Sequence, residues 1–302
     1  MKKRILSILM VAIMFIMAGC SNKKDKVVTD REGTQVKIPN KIEKIISTAP
    51  SNTEVLVDLG LGDNLIAIDT YSSDVKGVKK DITKIDFSNP DAEAIVGLQP
   101  DIVIASGHNK TGSGQDPFKS VSDSGIPVVY IPSSDSIDGI YKDIEFISDV
   151  VGQQEKGKEL VTNMKSKIQE VSEIGKNIKD KKKVYFEIGP SPNLYSFGNS
   201  TFLNEMIELI GAQNIFKEEK AWISPSSESV IEKNPDVILT NVNYIENPTQ
   251  EIKSREGWEN INAVKENKVY QINANSSSRP SNKILIALDE MAKAIYPENY
   301  EK

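Results

Sequence analysis

The chain has 302 residues, with 37 Lys and Arg against 43 Asp and Glu, one Cys and one His. A net charge of −6 argues against a nucleic-acid surface, and the lone Cys and lone His exclude an internal disulfide and a Cys/His zinc centre. Length and a 38% hydrophobic content suit a soluble globular chain of about two domains.

Lys2, Lys3 and Arg4 precede an apolar run from Ile5 to Met17, broken only by Ser7. The run is short for a membrane span, and the small residues Ala18 and Gly19 stand just before the sole cysteine, Cys20. The pattern resembles a lipoprotein signal: residues 1–19 are removed and Cys20 becomes the lipidated N-terminus. An uncleaved anchor is the alternative. Cleavage takes three positive charges from the net −6, leaving −9. Residues 20–27, polar and lysine-rich, read as a flexible tether. The expected location is therefore the outer face of the cell membrane, held there by acyl chains.

Beyond the tether the chain reads as two α/β lobes, 28–135 and 180–302, with mainly parallel sheets. Val28 to Ile38 alternates around Arg31-Glu32-Gly33 as a hairpin. Lys44 to Ala49 is a strand. Ser51 to Glu54 has capping-box spacing and opens a helix ending at Gly60. Strands follow at 65–69, 101–106 and 128–131, with a short helix from Asp91 to Leu98. Strands alternating with helices predict a sheet covered on both faces. Over 136–179 the apolar residues Ile137, Ile140, Ile144, Ile147, Val151, Leu160, Met164, Ile168, Val171 and Ile174 keep helical period. Gly152 suggests a local break. A helix of about 40 residues would span on the order of 60 Å, more than one layer needs, and so predicts a rigid spine joining the lobes. Strands resume at 184–188, 236–240 and 269–272, with helices at 201–210 and 282–295.

The two halves echo each other. Glu93-Ala94-Ile95 runs to Pro100-Asp101 and a β-branched strand; Glu228-Ser229-Val230 runs to Pro235-Asp236 and another. In each, Pro-Asp stops a short helix and turns the chain into the strand. Each Glu falls in a first helical turn, where a carboxylate is favoured and faces solvent. Read structurally, these are helix-terminal charges and nothing more; equivalent placement in two lobes points further. Phe87 lies six residues before Glu93, and Trp222 six before Glu228.

Two α/β lobes, a helical spine and a lipid tether together resemble the helical-hinge class of ABC-transporter solute-binding lipoproteins, and most of all its vitamin B12 and iron-siderophore group. The stretches that carry the likeness are Ile46 to Glu54, Asp91 to Asp101, Asn204 to Phe216 and Pro225 to Asp236. The resemblance implies that Glu93 and Glu228 dock into arginine pockets of a membrane permease driven by a cytoplasmic ATPase. It places Tyr71, Phe87 and Trp222 on the walls of a ligand cleft between the lobes, with Arg279 reaching in from the second lobe. A tryptophan present on the first wall of B12-binding relatives is replaced here by Ser106 or Gly107. For Phe87 the competing reading is ordinary core, and for Arg279 a solvated loop charge. Trp222 follows the charged run Lys217 to Lys220 and Arg279 follows Asn275 to Ser278, so both are expected in loops.

The Gly-rich stretch Ser106 to Gly114 lacks Walker spacing and reads as a loop at the cleft rim, with His108 as a candidate ligand contact. Tight binding of a bare metal ion would want several His residues. One His therefore leaves a prechelated metal or a non-metal organic molecule; the expected cargo is the former, a corrinoid or ferric siderophore, with haem as the alternative, and no resident cofactor and no nucleic acid are expected. A lipid-anchored hydrolase would have to rely on His108, without a Gly-x-Ser-x-Gly elbow.

Overall fold

The structure, a computed structural model, describes residues 25–110 and 116–301. Cys20, the leader and most of the tether lie outside the described residues.

The predicted hairpin forms from β1 (Lys26–Thr29) and β2 (Gln35–Ile38), paired antiparallel. The Asp30 carboxylate accepts from Glu32 N, Thr34 N and, at 3.1 Å, Tyr130 N, tying the hairpin turn to the first lobe. That lobe continues with β3 (Ile45–Ser47), α1 (Pro50–Asp58), β4 (Leu65–Asp69), β5 (Thr83–Ile85), α2 (Ala92–Gly97), β6 (Ile102–Ser106), α3 (Lys119–Asp123) and β7 (Val128–Ile131). Its sheet is parallel throughout, in the order β5-β4-β3-β6-β7.

The helical stripe does not form one continuous helix. It gives α4 (Ile137–Val150), capped by the Ser136 hydroxyl, and α5 (Gln154–Lys176), 23 residues or about 34 Å. The break falls at Gly152, whose φ of +72° is costly for other residues. The chain turns back on itself there: Gly157 abuts Ser148, and Lys165 lies over the Tyr141 ring at 5.1 Å. Periodicity cannot register the reversal, because both arms of a helical hairpin bury the same stripe. The spine is thus α5, braced by α4. At its far end it meets the second lobe backbone to backbone, where a Cβ on Gly175 would stand 2.1 Å from Leu209 O.

The second lobe comprises β8 (Lys183–Glu187), β9 (Ser196–Phe197), α6 (Phe202–Leu209), β10 (Gln213–Asn214), β11 (Trp222–Ile223), α7 (Ser227–Lys233), β12 (Val237–Thr240), α8 (Pro248–Lys253), α9 (Asn262–Lys265), β13 (Val269–Gln271), α10 (Ala274–Ser278), α11 (Ile284–Ile295) and α12 (Pro297–Tyr300). Its main sheet is parallel, in the order β10-β8-β12-β13; β9 and β11 form a separate antiparallel ribbon.

Strand alternation sorts the core. Ile45, Ile102 and Ile104 of the first sheet, and Val184, Val237 and Leu239 of the second, join one apolar cluster running through Ile140, Ile144, Met164, Met206 and Leu288 of the helices. The opposite faces hold separate clusters, around Phe118 in the first lobe and Trp258 in the second. One core shared through the spine resists bending, because close-packed interiors transmit strain rather than absorb it.

Candidate functional site

Ligand sites in parallel α/β sheets form beyond the carboxyl ends of the strands. After β4, the Asp69 carboxylate accepts from Tyr71 N at 2.8 Å and from the Ser72 hydroxyl. The resulting one-turn 3-10 helix turns Tyr71 outward, 63% exposed, with its ring edge-on to Phe87 at 5.7 Å. Phe87 is half-buried, so it is neither plain core nor free surface. Its carbonyl accepts from Asn109 Nδ2 at 2.9 Å. The Asn109 carbonyl oxygen in turn accepts from Thr48 Oγ1 at 2.7 Å and Ser106 N at 2.8 Å. Buried Asn109 therefore joins the ends of β3 and β6 to the Phe87 turn. Sequence reading passed over it as part of a Gly-rich loop. His108 sits beside it, its N–H donating to Ser106 Oγ at 3.2 Å.

In the second lobe Trp222 lies in β11, a two-residue strand rather than the expected loop, opposite Phe197 of β9. Its ring is 40% exposed, stacked on Tyr195 at 6.2 Å and edge-on to Phe197. Tyr195, and Tyr244 after β12, are exposed aromatics that the sequence reading missed. The available signal was position: each follows a strand of the second sheet.

Arg279 does reach from the second lobe to the first, but the expected loop before it is the helical turn α10, with Arg279 as its C-cap. Its guanidinium donates to Glu54 at 3.0 Å, to Asp74 at 2.9 and 3.2 Å and to the Tyr71 carbonyl at 3.1 Å. Ser281 Oγ donates to the other Glu54 oxygen at 2.5 Å, and Lys283 pairs with Asp58. The carboxyl ends of both sheets thus meet along a charged seam. Burial raises the Glu54 carboxyl above its ordinary range, and Ser281 and Arg279 pull it part of the way back. Glu54 was expected to complete a capping box. Instead Pro50 takes the first helical position, Ala49 is the N-cap and makes no side-chain bond, and Glu54 is free to face the other lobe.

Glu93 and Glu228 occupy equivalent places. Both are exposed in the first turn of a short helix, capped by Asp91 on α2 and Ser226 on α7. Hydrogen bonds from its own N–H and from the Ser226 hydroxyl hold the Glu228 carboxyl below its ordinary value. The echo extends to the backbone. Gln99 and Asn234, each just before the Pro, adopt left-handed φ of 49° and 45°. Asp101 accepts from Lys44 N at 2.8 Å and Asp236 from Lys183 N at 2.8 Å, each aspartate latching onto the start of its sheet's inner strand.

Another recess lies away from the strand ends. A mainly apolar groove of about 540 Å³ runs between α4, α5 and α6, lined by Ile137, Tyr141, Ile168 and Leu209 among others. It holds neither the exposed aromatics nor the seam.

Among the described residues no helix is long and apolar enough to cross a membrane. Residues 45–275 match the periplasmic binding protein family. An uncharacterized ABC transporter substrate-binding lipoprotein of Bacillus subtilis, YvrC, is 32% identical over the full length of both chains. A vitamin B12-binding protein of Vibrio campbellii is 28% identical, covering 83% of this chain and 88% of its own. The crystal structure of a possible iron-binding, periplasmic solute-binding protein from Staphylococcus epidermidis superposes with a TM-score of 0.76 at 32% identity, covering 85% of this chain and all of the other. This family serves transport rather than catalysis. Its two parallel-sheet lobes, its helical spine and these matches together make the chain a member of the periplasmic binding protein family, the solute-binding component of an ABC transporter.

Proposed function

We propose that the protein captures a prechelated metal, a corrinoid or a ferric siderophore, in the cleft between its lobes and delivers it to the membrane permease. The observation that carries this reading is the pair of aromatic walls: Tyr71 against Phe87 on one lobe, and Trp222 stacked on Tyr195 on the other. Such surfaces suit a large, bulky chelate, because aromatic rings give apolar area at low entropic cost. The donor set agrees, since one His in the whole chain is poor provision for a bare transition metal. The relative named for vitamin B12 binding supports the same reading. Haem is the alternative cargo.

Cys20 carries the lipid that holds the protein on the outer face of the membrane. Glu93 and Glu228 dock it onto permease arginines, one per lobe, in charge-assisted and potentially bidentate pairs. A Cys20→Ala protein should be released or remain unprocessed; an acylated N-terminus in that variant would overturn the anchor. Tryptophan fluorescence tests the cargo. The chain has two tryptophans, and Trp258 is fully buried, so a cleft ligand should quench chiefly Trp222. Quenching by a cyano-corrinoid or a ferric siderophore that disappears in Trp222→Phe is expected. Saturable binding of bare ferric ion, with no response to any chelate, would overturn the reading.

A further inference from the structure

Arg279 is the guanidinium that sequence offers to an anionic cargo, yet in the fold both of its terminal nitrogens already donate, Nη1 to Glu54 and Nη2 to Asp74 and the Tyr71 carbonyl. Lys283, the next cation along the seam, is held by Asp58 and is only about one-third exposed. Lys76 lines the same seam, so Glu54, Asp58 and Asp74 stand against three cations and the seam offers no excess of positive charge. Glu290 adds a further carboxylate nearby, accepting from Asn273 N at 2.7 Å.

A recess of about 390 Å³ adjoins this seam at the carboxyl ends of β12 and β13, and its lining is rich in amides: Asn243, Gln271, Asn273 and Asn275. Asn275 donates to Asp74 at 2.5 Å, so recess and seam are continuous. Gln271 donates one amide N–H to the Val242 carbonyl at 2.9 Å. Asn243 is exposed beside the exposed ring of Tyr244.

An anion at Arg279 would compete with Glu54 and Asp74 for a guanidinium that they already neutralise, and displacing the buried Glu54 would leave a costly uncompensated charge. Neutral amide or hydroxyl arms face no such penalty, and Asn and Gln side chains can both donate to them and accept from them. We propose that the cleft selects by charge: its cargo is an uncharged chelate with amide or hydroxyl groups at its periphery, and chelates bearing carboxylates or catecholates are rejected. This rests on the metal-chelate reading above and narrows it.

The test is calorimetric titration of the detergent-extracted full chain with four probes. Two are neutral at the periphery, a cyano-corrinoid with amide arms and a ferric tris-hydroxamate. Two are anionic, haem with its propionates and a ferric tris-catecholate. At least one neutral probe should bind about tenfold or more tightly than either anionic one. The corrinoid and the hydroxamate then decide between amide-rich and hydroxamate cargo. Asp74→Asn should release part of Arg279 and narrow the ratio by about three- to tenfold through stronger anion binding. Asp74 is half exposed, so the fold should tolerate the change. Asn243→Ala should narrow the ratio from the other side by weakening the neutral probe about threefold or more. Wild-type protein that binds haem or the catecholate as tightly as the neutral probes would overturn the charge selection and leave the chelate reading standing. So would an unchanged ratio in both variants. Failure of all four probes to bind would overturn the chelate reading itself, and this inference with it.

Discussion

The two lobes share a frame and differ in how they fasten it. In both, a short Glu-bearing helix ends in a left-handed residue, then Pro-Asp, and the aspartate latches onto the neighbouring inner strand. At the carboxyl ends of those inner strands the lobes part. The first carries Thr48, bonded to the neutral Asn109 at 2.7 Å. The equivalent place in the second carries Glu187, bidentate with Arg255 at 2.7 and 2.8 Å. Arg255 also grips Glu251 and lies over Trp258, whose indole N–H donates to Ser227 at the start of α7. The Glu228-bearing helix α7 is therefore tied to a buried ion-pair network in addition to its Ser226 cap, whereas α2 has its Asp91 cap. The comparison teaches that backbone geometry is what a repeat retains. Side-chain networks are free to diverge because several can satisfy the same frame.

The largest expected effect comes from what the lobes share. Replacing Glu93 and Glu228 together by Ala should leave ligand affinity of the purified protein nearly unchanged. Uptake of labelled cargo by cells should fall about tenfold or more, since interfacial charge pairs are worth several kcal/mol. Each single variant should cost less, and reversal to Lys more. Normal uptake by the anchored double variant would reduce the echo to a structural repeat.

Next come the fasteners. Arg255→Ala leaves Glu187 buried at 1% exposure without its partner, and should cost about 3–5 kcal/mol in denaturant unfolding. Asn109→Ala removes only neutral bonds and should cost about 1–3 kcal/mol. Equal losses would mean that the ion pair is no stronger a fastener than the amide.

The walls follow. Trp222→Ala and Tyr71→Ala should each weaken cargo binding by about 1–3 kcal/mol, with little loss of stability because both rings are exposed. Unchanged affinity in both would move the site elsewhere.

The smallest effect is on pH dependence. Burial raises the Glu54 carboxyl above its ordinary 4.5, against the pull of Ser281, Arg279 and Lys283. The folded chain therefore holds that proton more tightly than the unfolded one does. The stability it contributes is full below about pH 4.5 and is lost as pH rises through the folded value. Glu54→Gln should remove this falling component from a plot of unfolding free energy against pH. A component that rises with pH and vanishes in the variant would show that the Arg279 pair, not burial, dominates.

Much of the fold could be read from the residues. Strand β4 and strand β7 fall within the expected bounds, and the helix expected from Thr201 begins there, with Thr201 as its N-cap. Alternation and caps are local, so local reading finds them. The reversal at Gly152 was not legible as a reversal, because helical period is blind to which way the next helix runs. The site was legible in part. Tyr71 and Arg279 came from the family resemblance, whereas Glu93 and Glu228, with Phe87 and Trp222 six residues before them, stood out through spacing. Asn109 and Glu54 did not, since their partners lie 61 and 225 residues away and no local pattern marks them. The two-residue strands β9 and β11 are too short for any period to show, which is why Trp222 read as loop.

The central claim is that one cargo is held between both aromatic walls, and amide hydrogen exchange with and without a bound chelate tests it most directly. Binding should slow exchange in both lobes at once, in the turns that carry Tyr71 and Phe87 and in the ribbon that carries Phe197 and Trp222. Protection confined to the groove around Tyr141, Ile168 and Leu209, with both walls unchanged, would contradict it.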